Sequence, residues 1–197
     1  MSSIKLTADS GGGTFEIKAP SSSGNTRVLT LPDTGNATVL TTDTSVGKIL
    51  QVKQTVKLDT FSTSSLSDVD VTGLSVSITP SSSSNKVLVT VNIALSSQSM
   101  FVYGILKRGN TQIGEADAAG NRLRPTLMSF NTNEGEVEHR GFTFLDSPNT
   151  TSATTYKMQI RCGTSGHARV NKSYRDTDTV NYDPRVSSTI TVMEIAA

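Results

Sequence analysis

Apolar and polar residues alternate along most of this chain, and no stretch carries an amphipathic helix pattern. The clearest run is Val87, Val89, Val91, Ile93 and Leu95. A period of two with one apolar face is the signature of a strand packed on a core. Tyr156, Met158, Ile160 and Cys162 form a second such face. Leu74, Val76 and Ile78 form a third, which stops at Pro80 before a turn at Ser81 to Asn85. Between 48 and 58, Leu50, Val52, Val56 and Leu58 share one face, interrupted by Gln54, and Lys53, Thr55 and Lys57 share the other. This reads as a half-buried strand, followed by a Ser/Asp-rich loop from Asp59 to Asp68.

Turn chemistry separates further strands. Phe101 to Leu106 and Thr111 to Gly114 flank Lys107-Arg108-Gly109-Asn110, a β-hairpin with Gly109 or Asn110 at positive φ. Residues 115–135 are less regular. Val137 to Leu145 is a strand, Asp146-Ser147-Pro148-Asn149-Thr150 a turn, and Ala168 to Val170 a short strand. Ser188 to Ile195 is apolar on both faces, Ile190 and Val192 against Met193 and Ile195, which predicts a last strand covered on both sides. About eight strands over 46–197, with turns at this spacing, predict an all-β fold whose head, 47–197, is an antiparallel jelly-roll-like β-sandwich.

Residues 1–46 have a different texture. Ile4-Lys5-Leu6, Phe15-Glu16-Ile17-Lys18, Arg27-Val28-Leu29-Thr30-Leu31 and Ala37-Thr38-Val39-Leu40 are strand-like runs cut by Gly, Ser and Pro. An isolated hairpin of this length is marginal in water. These residues read as a β-arm for attachment or oligomerisation, one that needs a partner to bury its apolar faces. The partner can be the downstream domain, another copy, or a larger assembly.

Composition narrows the classes. The 197 residues carry a formal net charge of +1 and no Lys/Arg run, so neither nucleic acid nor an anionic membrane is indicated. Cys162 is the only cysteine, which excludes an intrachain disulfide; its place in an alternating face reads as a small buried hydrophobe. The N-terminus shows no signal-peptide core, and no apolar run is long enough for a membrane helix. The expectation is a soluble chain made in the cytoplasm.

Catalytic and metal chemistry find little support. His139 follows Glu136 and Glu138, but on a strand those carboxylates share one face and the imidazole takes the other. Cys162-Gly163-Thr164-Ser165-Gly166-His167 places three reactive residue types in a Gly-rich turn, whereas triads are assembled across a fold. Neither Gly11-Gly12-Gly13 nor Gly109-Asn110-Thr111 has the Lys-Ser/Thr ending of a phosphate loop. No enzyme activity, cofactor or metal is expected. The informative polar segment is 171–185, with Tyr174, Arg175, Asp176, Asp178, Tyr182 and Arg185 as candidate binding residues. Tyr and Arg are enriched at binding hot spots. Asp176 and Asp178 alternate as calcium ligands can, without the closing Glu of an EF-hand. One reading of the loop is a receptor or neighbour-subunit contact; the other is a loop pinned on its own domain by Arg–Asp pairs.

The segments Gly11-Gly12-Gly13-Thr14-Phe15-Glu16-Ile17-Lys18-Ala19-Pro20, Arg27-Val28-Leu29-Thr30-Leu31-Pro32 and Thr38-Val39-Leu40-Thr41-Thr42 resemble the arm of tail-fibre and other virion appendage proteins of marine bacteriophages. Ser187-Ser188-Thr189-Ile190-Thr191-Val192-Met193-Glu194-Ile195 looks like the closing strand of their heads. The resemblance covers the arm well and the head loosely. It implies a virion protein made in a bacterial host, assembled as a homotrimer, with an arm that contacts other virion proteins and a head that meets a host surface glycan or protein. The shaft here is shorter than is usual in that family, which favours a short tail fibre or tail appendage, or alternatively a capsid or tail decoration protein without receptor binding.

Overall fold

The computed structural model describes residues 3–7, 11, 14–18, 24, 47–179 and 181–197. The chain divides into two compact units, Met1–Asp43 and Thr44–Ala197. In the first, strands β1 (Ser3–Thr7) and β2 (Thr14–Lys18) pair antiparallel from Ser3↔Lys18 to Thr7↔Thr14. The strand-like runs at 27–31 and 37–40 lie outside the described residues.

The second unit is an antiparallel β-sandwich, all-β and jelly-roll-like. Its strands are β3 (Ile49–Lys57), β4 (Phe61–Thr63), β5 (Val69–Ile78), β6 (Lys86–Ser96), β7 (Met100–Arg108), β8 (Thr111–Gln112), β9 (Leu127–Asn131), β10 (Glu138–Asp146), β11 (Thr154–Cys162), β12 (Ala168–Val170) and β13 (Ser188–Ile195). One sheet runs β3-β13-β6-β12-β4 with β10 also on β6; the other runs β5-β11-β7-β8 with β9 also on β7. The alternating faces meet between the sheets. Val87, Val89, Val91, Ile93 and Leu95 pack with Leu74, Val76, Ile78, Tyr156, Met158, Ile160 and Cys162 in one buried cluster. The hairpin read at 107–110 is present as β7–β8, with Gly109 at φ +57°. Cys162 is buried, and burial pushes its thiol pKa up, as suits an inert core residue.

Two strands escaped the sequence reading. β4 lies inside the segment read as a loop; at three residues it shows no periodicity and exists by pairing with β12. β9 lies inside the irregular stretch and pairs with β7 from Met100↔Asn131 to Gly104↔Leu127. Its alternation is partly inverted, because Ser129 and Asn131 are buried while Met128 and Phe130 are exposed.

The larger surprise is β3, whose polar face turns inward. Leu50, Val52 and Val56 are 41%, 52% and 47% exposed, whereas Lys57 is 2% exposed. The reason lies across the sandwich. β5 is the edge of the opposite sheet, and its outward carbonyls have no neighbouring strand. Gln51 Nε2 donates to the Thr79 carbonyl at 2.8 Å, Thr55 Oγ1 to Ser75 at 2.7 Å, and Lys57 Nζ to Thr72 at 2.7 Å. Lys57 is neutralised by Asp59 at 2.8 Å. Side chains of one edge strand thus satisfy the backbone of the other, an alternative to covering an edge with a strand.

The last strand also departs from expectation. β13 sits between β3 and β6, with Ile190, Val192 and Glu194 buried. Its other face, Thr189, Thr191, Met193 and Ile195, is only half-buried, and no second layer covers it among the described residues. The registers Val52↔Met193, Met193↔Leu88 and Leu88↔Leu145 align an apolar row across four strands of this outer face.

Candidate functional site

The loop 171–185 begins on a structural anchor. Asn171 is fully buried at φ +63°. Its Nδ2 donates to the carbonyls of Lys57 and Asp59, both at 2.9 Å, and its Oδ1 accepts from Ser188 Oγ at 2.6 Å. One amide side chain therefore ties the end of β3 to the start of β13. Asn171-Lys172-Ser173 matches the glycosylation pattern, yet this asparagine faces the interior. Asn171→Ala leaves a buried carbonyl, a part-buried one and a buried hydroxyl without their partner and places alanine in a left-handed conformation. We expect a loss of about 3 kcal/mol of stability, measured by urea unfolding.

Two aspartates then organise the loop. Asp183, buried and at φ +61°, accepts from Arg175 Nε at 2.8 Å, Ser173 Oγ at 2.7 Å and the Thr177 amide at 3.0 Å. The Arg175 hydrogen bond, helped by those from Ser173 and Thr177, outweighs desolvation and holds the Asp183 carboxyl well below the usual carboxylate range. Asp176, at φ +57°, accepts from Lys172 Nζ at 3.0 Å and also pairs with Arg185. The Lys172 hydrogen bond is the largest cause of its lowered pKa, with burial opposing and Arg185 adding. Arg169 lies over the Tyr174 ring at 4.7 Å, and Arg175 over the Tyr182 ring at 5.4 Å.

The six candidate residues are therefore distributed between two roles. Arg175, Asp176 and Arg185 are engaged in intrachain ion pairs, and Tyr174 is half-buried beneath Arg169. Asp178 and Tyr182 are exposed, Tyr182 at 65%. Tyr182 and Arg175 line an open depression against the turn of Asn133, Gly135 and Glu136. Asp176 is turned to its cations and is not gathered with Asp178. Among the described residues no group of three or more His, Cys, Asp or Glu comes together. His139 bonds Asn92 at 2.9 Å, and Glu138 bonds Ser129 at 2.5 Å and also pairs with Arg140. Sequence reasoning missed Asp183 as the hub. Its signal was an aspartate just before Pro184 in a loop that also holds Ser173, Arg175 and Arg185, which does not distinguish a buried acceptor from a solvated one.

No family model matches the chain, and no curated protein matches it. Among solved structures it is similar to one described as the structure of infectious bursal disease virus Gt strain, at 12% identity and a TM-score of 0.40. That likeness covers 86% of this chain and 46% of the other, so this chain spans less than half the length of the one it matches. No role is carried over from so distant a likeness; the β-sandwich assignment stands on the strand pairing itself.

Proposed function

We propose that this chain is a structural protein of a bacteriophage virion, a short tail fibre or tail appendage that assembles as a homotrimer. Its N-terminal unit contacts other virion proteins, and its head meets a host surface glycan or protein. The chain performs no catalysis in this role.

The observation that carries the reading is the outer face of the β3-β13-β6-β10 sheet, which none of the described residues covers. Ile49, Leu50, Val52, Val56 and Leu145 are between 41% and 53% exposed there, around half-buried Leu88, Met193 and Ile195. Contiguous apolar surface of this kind, along a long unpaired edge strand, marks an interaction surface. Threefold self-assembly, which the arm motifs suggest, would remove it from water. Avidity from three heads would then make a weak host contact useful.

The second reading, a capsid or tail decoration protein with no receptor, is favoured by the intrachain pinning of 171–185. A loop whose Arg and Asp residues already satisfy one another has less to offer a ligand. The two readings separate on Tyr182, the exposed aromatic of that loop. Virions carrying Tyr182→Ala adsorb to host cells several-fold more slowly if the loop meets the receptor. Unchanged adsorption with normal particle yield contradicts the receptor contact.

A further inference from the structure

Arg161 stands on the outer face of the second sheet, opposite Tyr103 of β7 in the strand register. Its Nε is buried without a hydrogen-bond partner, and its guanidinium makes no ion pair among the described residues. The cavity beside it is also lined by Asp68, Glu115 and Arg124. Glu115 is held by Arg124 at 2.6 Å, and Asp68 has Lys107 3.9 Å away, so three arginines and Lys107 outweigh the two carboxylates. The enclosed Nε is out of a ligand's reach; an acceptor in the cavity would meet the terminal Nη groups of Arg161, which make no hydrogen bond among the described residues.

The space beside it is a built cavity of about 250 Å³. Its outer wall is the 113–125 loop, folded back over the sheet and fixed at both ends. Ile113 N donates to Leu106 O at 3.0 Å, Thr126 Oγ1 to Ile113 O at 3.3 Å, and Gln112 Nε2 to Arg124 O at 2.6 Å. Gly114 makes the fold-back possible: its φ is +64°, and a Cβ there would sit 2.7 Å from the Phe142 ring. The loop brings Arg122 to the cavity, where its one side-chain hydrogen bond among the described residues is Nη1 to Ala119 O at 3.1 Å. Tyr103 and the 51%-exposed Leu123 supply apolar surface.

We propose that this cavity binds an acidic sugar unit through its carboxylate. Arg161 and Arg122 present planar donor forks suited to a carboxylate. The Tyr103 ring and Leu123 receive the C–H face of the sugar, and the volume admits one ring. The site lies on other elements than the 171–185 loop. It deepens the host-contact reading, on which it rests, by naming a ligand class: the uronate-type residues of a surface glycan.

The test titrates glucuronate into the full chain and follows amide chemical shifts, with glucose and acetate as parallel arms. Glucuronate is expected to saturate, and glucose and acetate to bind roughly tenfold or more weakly. Arg161→Gln is expected to lose roughly tenfold or more in affinity, and Arg161→Lys to lose most of that, since it keeps the charge without the fork. Arg122→Gln, at an exposed loop position, is expected to weaken binding while leaving the fold intact. Wild-type affinity in a folded Arg161→Gln variant overturns the proposal, as does the absence of saturable glucuronate binding. Acetate binding as tightly as glucuronate overturns the sugar assignment. Because the assay uses isolated protein, its failure leaves the virion reading to be judged by where the protein sits on the particle.

Discussion

Glu194→Ala is expected to lower unfolding stability by about 3 kcal/mol, from the stranding of the buried Asn85 donor and of part-buried donors on Gln51 and Ser81. Glu194 is fully buried on β13 and has no cationic partner among the described residues. Its carboxylate accepts from Gln51 Nε2, the Ser81 amide and Asn85 Nδ2, each at 2.6 Å, and from Ser81 Oγ at 2.7 Å. Asn85 in turn accepts from the Ala197 amide at 3.2 Å, so the end of the chain hangs on the same cluster. Alanine leaves these donors unpaired, while relief of the carboxylate's own desolvation returns part of the loss. Glu194→Gln is expected to be milder, since one acceptor oxygen remains although its amide opposes a donor.

The same group makes stability fall in acid. Burial pushes the Glu194 pKa up, but the hydrogen bonds from Gln51, Asn85 and Ser81 outweigh it and hold it at about 2. Its unfolded pKa is the ordinary one, 4.5. Between these values the unfolded chain binds more protons than the folded one, so stability falls as pH drops through that window. Asp183, also depressed, adds in the same direction. Chemical unfolding from pH 6 to pH 2 checks this: Glu194→Ala flattens the acid slope relative to wild type and leaves the Asp183 part in place. An equal slope in both would show that the carboxylate is not ionised in the fold.

Val52→Asp is expected to abolish self-association while leaving the head folded. Val52 is 52% exposed in the single chain, so a change there moves monomer stability by only about 0.5 kcal/mol. In an assembly it would be buried at the β3 end of the Val52, Met193, Leu88, Leu145 row. A buried, unpaired carboxylate in such an interface costs several kcal/mol, enough to raise a dissociation constant by roughly a hundredfold or more. Sedimentation equilibrium checks both parts: wild type at three times the 20.9 kDa chain mass, and the variant at one. Leu145→Asp, on the far strand of the same row, is expected to behave alike. A wild-type trimer untouched by either change would place the interface elsewhere.

How much of this was legible in the sequence depends on where each strand's neighbours lie. The faces of β5, β6 and β11 are read directly, because residues such as Val89 and Ile160 are buried in the one apolar core between the sheets. β3 has the same alternation and the opposite sense. Its inward face is set by the unpaired carbonyls of Ser75 and Thr79 on an edge strand, which no local pattern in β3 can report. β9 fails for a related reason, since Ser129 and Asn131 fill its inward positions. The 171–185 loop was recognisable as polar and charged. Its buried hub Asp183 and its anchor Asn171 were not, because each depends on partners donated by other turns and strands. Arg161 left no mark at all in the sequence; a polar residue on the outer side of a strand is ordinary, and only the fold-back of the 113–125 loop makes it distinctive.

The most direct measurement is the position of the protein on the particle, by gold labelling of an epitope-tagged copy on purified virions under the electron microscope. A tail appendage places the label at the tail, in a few copies per particle, with labelled particles still infectious. Label spread over the capsid shell, or present in the lysate and absent from every particle, would contradict it.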